Sequence, residues 1–406
     1  MPEEIEEIPA FPMPRAAQCP FYSSPRLREV GPISRVRIWD GSAPWLVTDY
    51  DVQRAVLADQ RFSADSGKPG YPAQTEAILV QREKSKTFIS TDDPEHDQQR
   101  KMLTRNFTIK RMEAMRPRIQ QIVDGLIDDL IDDTLSDSKP VDLVTAFALP
   151  LPSLVICELL GVPYSAHDFF QSRSTKLVAR STTTDEALKA GDELKAYLLD
   201  LVAAKEKQPA DDMIGRLVTD QLATAALTRD EIAAMAVLML SAGHETTANM
   251  IALGTLALLR NPAQLAEIRD TDDPDLIADA VEELLRYLNI TTGGRRRVAT
   301  EDIEVAGRLV RAGEGIILVN EAGNRDEGQF PEPDRLDIHR RARHHIAFGY
   351  GVHQCLGQPL ARVELQVVYS TLYRRIPTLE LAIPFEDVPF KHDNFVYGVH
   401  SLPVTW

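Results

Sequence analysis

The amino-acid sequence predicts a mainly α-helical protein with a small β region. Long stretches carry apolar residues at helical spacing, above all residues 111–134 and the nearly continuous apolar run at residues 232–259. Segments typical of strands are short and few, and they cluster at residues 34–48 and 303–319. No linker rich in Pro, Gly and Ser divides the middle of the chain, so we expect a single large domain over residues 1–406.

Composition limits the classes of partner and compartment. The 406 residues are 44% hydrophobic and 26% charged, which is typical of a globular protein with a large core. The formal net charge of −16 argues against nucleic acid or an anionic membrane as a partner. Residues 1–7 are acidic and lack an apolar run, so we expect neither a signal peptide nor a membrane anchor. Three scattered cysteines, Cys19, Cys157 and Cys355, form no disulfide framework, and we therefore expect a cytoplasmic protein.

The first hundred residues contain most of the predicted turns. Residues 1–32 are expected to form an extended arm, since residues 9–32 are Pro-rich and irregular. Two strands then flank Asp40-Gly41, a typical hairpin turn, and a helix follows at residues 51–57. Residues 63–87 are polar and rich in turn formers, which predicts a surface loop. Pro94 can start the next helix, on which His96 and Arg100 lie one turn apart on one face.

The middle of the chain predicts a series of helices. The amphipathic segment at residues 111–134 is followed by a helix that ends at Gly161. Two further helices over residues 166–206 are joined across residues 181–184. Thr228 and Glu231 form a capping box at the start of the longest apolar segment.

Polar residues at the centre of that apolar segment predict a functional site. A membrane span is the alternative, since the length would suffice, but a charged group at mid-span costs about 2.5–3.5 kcal/mol on insertion scales. A helix through the core of the domain, polar only where it crosses a site, explains the pattern better. Thr246 can hydrogen-bond to the carbonyl of Ala242 and open the helix there, while Gly243 leaves room for a ligand.

The last third of the chain combines short strands with two helices. Glu283 and Arg286 lie three residues apart on a predicted helix and can form an ion pair. Strands are expected at residues 303–305, 308–310 and 315–319, and a final helix runs from Pro359 to about Arg375.

A cysteine-centred loop precedes this final helix. Its fixed positions are Phe348, Gly349, Gly351, His353, Cys355 and Gly357. Glycines two apart allow a tight fold because they reach φ > 0 without a Cβ clash, and Gly357 should let the chain turn into the helix. A cysteine before a helix N-terminus favours the thiolate, which is the form that binds metals. A buried structural cysteine and a zinc site of His345, His353 and Cys355 are the alternatives, although zinc usually has four protein ligands at structural sites.

The pattern Phe-Gly-x-Gly-x-His-x-Cys-x-Gly resembles the haem-ligand loop of the cytochrome P450 superfamily, and the chain is most similar to its soluble, actinobacterial-type monooxygenases. The resemblance implies the P450 fold, with haem b between the long central helix and the helix that follows the cysteine loop. Cys355 would be the axial thiolate, a ligand that suits oxygen activation. Dioxygen would be the co-substrate.

The resemblance also assigns the other site residues. Four residues would contact the haem carboxylates: His96, Arg100, Arg297 and His353. Because three arginines are adjacent at residues 295–297, the position of the arginine in this set is uncertain by one residue. The oxygen-binding groove would be formed by Ala242, Gly243, Glu245 and Thr246, with Thr246 holding dioxygen and Glu245 relaying protons from solvent. Substrate-pocket candidates are Phe88, Ile89, Ile290, Thr291 and Val396, under a lid formed by the helices at 166–206. Glu283 and Arg286 would form the family's structural pair, completed best by Arg335, with Arg340 still open.

The activity implied is haem-thiolate monooxygenation, in which an apolar small molecule is hydroxylated or epoxidised by a monomeric enzyme. Electrons would come from NAD(P)H through a ferredoxin reductase and an acidic ferredoxin. A basic patch suits such a donor: Arg100, Lys101, Arg105, Arg111, Arg340, Arg341, Arg343 and Arg362. Two alternatives have the same haem: a nitric-oxide reductase, which lacks the acid–alcohol pair, and a non-catalytic haem sensor, which needs no proton relay.

Overall fold

A computed structural model describes residues 8–15, 21, 24–76, 78, 80, 86–137, 140–178, 182–392 and 394–406. The helices described are α1 (Arg26–Glu29), α2 (Tyr50–Ala58), α3 (Glu95–Thr104), α4 (Ile109–Asp137), α5 (Pro150–Leu160), α6 (His167–Val178), α7 (Thr184–Lys207), α8 (Met213–Leu217), α9 (Arg229–Leu259), α10 (Pro262–Asp270), α11 (Pro274–Leu288), α12 (Asn320–Gly323) and α13 (Gln358–Arg375). The mainly helical prediction is therefore confirmed.

The strands are short, as expected. They are β1 (Ile33–Arg35), β2 (Trp45–Val47), β3 (Phe62–Ser63), β4 (Val141–Asp142), β5 (Arg295–Ala299), β6 (Ile303–Val305), β7 (Arg308–Val310), β8 (Gly315–Leu318), β9 (Glu380–Leu381) and β10 (Pro403–Thr405). The predicted strands near residues 34–48 and 303–319 are confirmed. Strand β5 and the two-residue strands β3, β4 and β9 were not predicted, and neither was β10.

The chain forms two compact units, each built from three separate stretches. The first comprises Met1–Gln99, Thr291–Arg335 and His344–Cys355, and the second Arg100–Ile290, Leu336–Arg343 and Leu356–Trp406. The expectation of one domain stays a prediction.

The first unit contains a five-stranded sheet in the order β1-β2-β8-β5-β3. The predicted hairpin is confirmed, since β1 pairs antiparallel with β2 and the turn has Gly41 at φ +83°. The N-terminal arm is not irregular throughout, because it contains α1 and is anchored by Phe11, whose amide donates to Arg37 O at 2.8 Å. Phe11 and Met13 join the apolar core beneath the sheet because they pack with Val36 and its neighbours.

The second unit is organised around α9, which is helical without interruption from Arg229 to Leu259. Its capping box is confirmed, with the Glu231 amide donating to Thr228 Oγ1 at 3.2 Å. Tyr369 of α13 donates from its hydroxyl to Met250 O at 2.7 Å. A Cβ at Gly254 would lie 1.9 Å from that hydroxyl, so the close approach of α9 and α13 requires glycine there.

The remaining predicted helices of the second unit are also confirmed. Helix α5 ends at Gly161, which has φ +76° as a helix C-cap often does. Helix α7 begins with a capping box of Thr183 and Glu186. In the part of the chain that the structure describes, no helix has the length and apolar character needed to cross a membrane.

Candidate active site

The cysteine loop folds as tightly as its glycines predict. Gly349 and Gly351 have φ +76° and +72°. A Cβ at Gly349 would lie 2.6 Å from Arg295 Nε, and one at Gly351 would lie 2.3 Å from Leu57 O. The loop is closed by the Cys355 amide, which donates to Phe348 O at 2.9 Å, and the Cys355 side chain is exposed. The alternative of a buried structural cysteine is therefore not supported for Cys355.

Gly357 stands at the N-cap of α13, two residues after the cysteine, as expected. Its φ of −79° lies in a region open to any residue, so the chain turns into the helix as expected, in a conformation that does not itself require glycine. A Cβ at Gly357 would meet no other protein atom within 4 Å.

Two histidines from distant parts of the first unit lie together. The rings of His96 and His353 have their centroids 4.0 Å apart. His96 is buried and its Nδ1 lies 3.0 Å from Asp93 Oδ1, while its Nε2 has no hydrogen-bond partner among the described residues. Arg100 is half-buried one turn further along α3. A buried imidazole nitrogen of this kind fits a carboxylate acceptor.

The three adjacent arginines of β5 have different surroundings. Because side chains alternate along a strand, Arg295 and Arg297 share one face and Arg296 has the other. Arg296 donates to Gly293 O at 3.0 Å and also to Pro72 O, so it holds the polar loop of residues 63–76.

Arg295 faces the cysteine loop. Its Nη2 donates to Ala347 O at 3.0 Å, and its Nε is buried without a hydrogen-bond partner among the described residues. Burial lowers the pKa of Arg295, and the charge of Cys355 opposes this shift. Arg297 is also buried, and its Nη1 donates to Arg296 O at 2.7 Å. Contact with a haem carboxylate stays a prediction for Arg297.

The donor set of the first unit fits haem. It combines one exposed cysteine with buried imidazole and guanidinium nitrogens, which suit a cofactor that has one axial position and two carboxylates. Among the residues described, no group of three or more His, Cys, Asp and Glu side chains could hold a metal ion. The zinc alternative therefore has no support.

The polar centre of α9 lies in the second unit. Thr246 Oγ1 donates to Ala242 O at 2.6 Å, which confirms the predicted bond, although the helix is not interrupted there. A Cβ at Gly243 would lie 3.2 Å from Ile156 Cδ1, so glycine at this position also allows close packing against α5. Ala242 is exposed, and Thr246 is half-buried.

Glu245 is 1% exposed and is held by three side chains that the sequence did not indicate. Its Oε1 accepts from Thr175 Oγ1 at 2.9 Å, and its Oε2 lies 3.2 Å from Asn249 Nδ2 and 3.4 Å from Lys391 Nζ. Burial alone would raise the pKa of Glu245, but Lys391, His244 and the hydrogen bond from Thr175 together outweigh it, and the pKa lies below its usual value. Of these three partners, only Asn249 could have been predicted from the sequence, because it lies four residues after Glu245 on the same helix.

The candidate pocket residues are divided between the two units. In the first, Phe88 is buried and Ile89 is exposed on a 3-10 turn, and Thr291 is half-buried. In the second, the Tyr397 amide donates to Ile290 O at 2.7 Å. Val396, which is half-buried, directly precedes Tyr397 in the chain. The role of all five in binding substrate stays a prediction.

The predicted structural ion pair is present, with a different third member. Glu283 and Arg286 are fully buried and joined by two hydrogen bonds of 2.7 and 2.8 Å. Arg340 Nε lies 3.1 Å from Glu283 Oε1. The choice of Arg335 is wrong, because Arg335 is exposed on a surface turn, 3.7 Å from Glu332. The Asp337 amide also donates to Glu283, which places the next turn of chain, with Arg340, at the pair.

Comparison with known proteins extends this picture to the whole chain. The model of the cytochrome P450 family matches residues 27–183 and 164–396. Cytochrome P450 GfsF of Streptomyces halstedii is 52% identical over 100% of this chain and 98% of its own length, and its crystal structure superposes with a TM-score of 0.92 over 98% of this chain and 100% of that one. Pentalenic acid synthase of Streptomyces avermitilis is 50% identical over 98% of this chain and 97% of its own length.

A third relative is named for its reaction. The mycinamicin VIII C21 methyl hydroxylase MycCI of Micromonospora griseorubida is 40% identical, with a TM-score of 0.90 over 98% of this chain and 100% of that one. These relatives support oxygenation of a small molecule rather than nitric-oxide reduction or haem sensing. The family implies a haem-thiolate centre, use of dioxygen and redox partners. The chain therefore belongs to the cytochrome P450 family, and it is a P450 monooxygenase.

Proposed function

We propose that this P450 inserts one oxygen atom into an apolar small molecule of secondary metabolism, by hydroxylation or epoxidation. The observation that carries the proposal is the exposed Cys355 at the end of a loop closed by its own amide, in a chain that matches natural-product oxygenases over its full length. Pentalenic acid and mycinamicin VIII, the molecules named for two relatives, set the substrate class only broadly.

In the proposed site, Cys355 is the axial ligand. His96, Arg100, Arg297 and His353 hold the haem carboxylates by charge-assisted hydrogen bonds, and Phe348, Gly349 and Gly357 shape the loop around the thiolate. When bound, haem would supply oxygen activation, which a thiolate ligand favours.

Glu245 would deliver the protons, and Thr246 would hold dioxygen. The only hydroxyl proton of Thr246 is donated to Ala242 O, so towards dioxygen Oγ1 acts as an acceptor. Such an acceptor stabilises an oxygen that has gained a proton. Glu245 supplies that proton, although its burial means that the proton reaches it through the protein interior rather than directly from bulk solvent.

Electrons would come from NAD(P)H through a ferredoxin reductase and an acidic ferredoxin, with the enzyme a cytoplasmic monomer. The support is two residues of the predicted basic patch, Arg341 and Arg343, which are 83% and 63% exposed. Arg340, also predicted to belong to the patch, is only 10% exposed and pairs with Glu283, so it adds little to the surface charge. Asp279 lies within 4 Å of Arg341 and Arg343 and reduces the positive charge of the patch. Attraction of an acidic donor should therefore be moderate and weakened by salt.

The function is tested in two stages. Replacement Cys355→Ser should abolish the thiolate signature in the spectrum of the ferrous carbon monoxide complex; survival of that signature would refute the ligand assignment. Apolar compounds that shift the haem spectrum of the wild type are then incubated with redox partners and labelled dioxygen. A product with one labelled oxygen atom is expected, whereas spectral binders that never gain oxygen would contradict the proposal.

A further inference from the structure

Lys391 is a buried cation far along the chain from α9. It is 6% exposed and lies on a hairpin in which Phe390 and Val399 form a bridge and the Lys391 amide donates to Gly398 O at 2.8 Å. Lysine is almost never buried to this extent unless it is paired. Its partner is Glu245, with Nζ 3.4 Å from Oε2.

Three elements of the second unit meet at this carboxylate. Thr175 of α6 donates to Oε1 at 2.9 Å, and Asn249 donates to Oε2 at 3.2 Å and to the backbone oxygen of Glu245 at 2.7 Å. The hairpin approaches closely, since a Cβ at Gly398 would lie 1.7 Å from Asn249 Oδ1. The carboxylate is thus held in one orientation by α6, α9 and the hairpin.

The charge of Lys391 favours the ionised form of Glu245. A carboxyl group that is removed from water without a counter-charge becomes neutral, because ionisation in the interior is costly. The charged and titratable groups that act on Glu245 are Lys391 from the hairpin and His244 from α9 itself. His244 is the neighbour of Glu245 in the chain, so Lys391 is the only one of the two that comes from another element.

We propose that Lys391 is a positioning residue for proton delivery, which keeps Glu245 ionised and fixed so that it accepts a proton before passing one to the Thr246 side of α9. In each transfer, the carboxylate gains a proton from water and gives it up towards dioxygen, which returns Glu245 to its ionised form. This inference rests on the proposed role of Glu245 and adds the group that sets its charge.

The experiment compares holoenzymes that carry Lys391→Met, Lys391→Arg and Glu245→Gln. Methionine keeps an unbranched side chain without the charge, and arginine keeps the charge. Thr175→Val is included for comparison, because it removes a hydrogen bond to the same carboxylate but no charge. The first measurement is the infrared spectrum of each resting ferric enzyme minus that of Glu245→Gln, which reports the protonated Glu245 carboxyl. The second is the amount of peroxide released per electron consumed, as a function of pH.

For Lys391→Met we expect a protonated carboxyl band at neutral pH and a pH profile of peroxide release moved upward by about one pH unit or more. Lys391→Arg should stay close to the wild type in both measurements, and Thr175→Val should change them in the same direction as Lys391→Met but by less. No protonated band and an unchanged profile in Lys391→Met would overturn the proposal. If Lys391→Met does not fold, the infrared spectrum of the wild type tests the proposal instead. A band of protonated Glu245 in the wild type at about pH 7 would also overturn the proposal.

The two ideas fail separately. If Glu245→Gln leaves peroxide release unchanged, the proton-delivery role of Glu245 is wrong and the positioning role of Lys391 falls with it. If Glu245→Gln raises peroxide release while Lys391→Met does not change the infrared spectrum, the function of Glu245 stands and only the role of Lys391 is refuted.

Discussion

The rings of His96 and His353 lie in contact, tilted by 38° with their centroids 4.0 Å apart, one on α3 and the other in the cysteine loop. His96 Nδ1 lies 3.0 Å from Asp93 Oδ1, and His96 Nε2 has no hydrogen-bond partner among the described residues. The pair therefore links the segment that is proposed to hold a haem carboxylate to the loop that carries the proposed axial ligand.

The first prediction concerns that nitrogen. His96→Ala should retain haem about ten- to a hundredfold less well, because a hydrogen bond to a charged group contributes about 1.5–3 kcal/mol. Haem loss to an excess of apomyoglobin measures the effect. His339→Ala, an exposed histidine paired with Glu267, is the control. Equal rates of haem loss in both variants would contradict a carboxylate contact at His96.

A second prediction separates Arg340 from Arg335. Removal of Arg340 leaves the fully buried Glu283 with one fewer cation, so Arg340→Ala should lower the free energy of unfolding by about 1.5–3 kcal/mol. Arg335→Ala, at an exposed position, should change it by less than about 0.5 kcal/mol. Thermal unfolding of the two variants decides, and a larger loss for Arg335→Ala would refute the assignment of Arg340.

Thr246→Ala tests the acceptor role of the hydroxyl. Haem binding should be unaffected, while product formed per electron should fall at least about tenfold and peroxide should rise, because proton delivery would lose its partner. Thr246→Ser keeps the hydroxyl and should recover most of the coupling. Thr247→Ala removes the neighbouring, buried hydroxyl and is the matched control. Coupling that is lost equally in both alanine variants would argue against a specific role for Thr246.

Glu364 on α13 should make stability depend on pH. Burial raises the pKa of this carboxyl to about 8, and Oε2 has no hydrogen-bond partner among the described residues. The folded-state pKa is above the unfolded value, so the folded protein binds the extra proton and loses stability as pH rises towards 8. Between about pH 6 and pH 9 the wild type should lose about 2–3 kcal/mol more than Glu364→Gln.

The midpoint of thermal unfolding measures this difference, which should reach a few °C. Glu380→Gln, at an exposed position near the C-terminus, is the control and should follow the wild type at every pH. If the Glu364→Gln and wild-type curves run parallel, the Glu364 carboxyl is not the source of the pH dependence.

A final prediction tests the docking patch. Arg341→Glu should slow reduction by an acidic ferredoxin several-fold at low salt, and the difference should shrink as ionic strength rises, because exposed charges are screened. Arg308→Glu makes the same charge change at an exposed position of β7 outside the patch. Reduction rates that are insensitive to salt, or equal in the two variants, would contradict docking at this surface.

Features that depend on neighbours in the chain were predictable. The capping box at Thr228, the helix stop at Gly161 and the bond from Thr246 to Ala242 are each completed within four residues. The cysteine loop belongs to the same class, because Gly349 and Gly351 are required by backbone conformations that only glycine adopts easily.

Features that depend on distant partners were not predictable. Strand β5 was missed because its three arginines hide the apolar alternation of a strand, and the segment becomes extended by pairing with β8. Arg340 could not be separated from Arg335 by spacing, since the turn that carries Arg340 is placed by the bond from the Asp337 amide to Glu283.

The sequence by itself determined the family and singled out the proposed ligand cysteine and acid–alcohol pair, because each is expressed in a short pattern whose geometry is local. Only the tertiary structure decided that Glu245 is buried beside a cation, since Lys391 reaches it from a hairpin near the other end of the chain. Solvation and ion pairing are properties of the folded interior, and no local pattern records them.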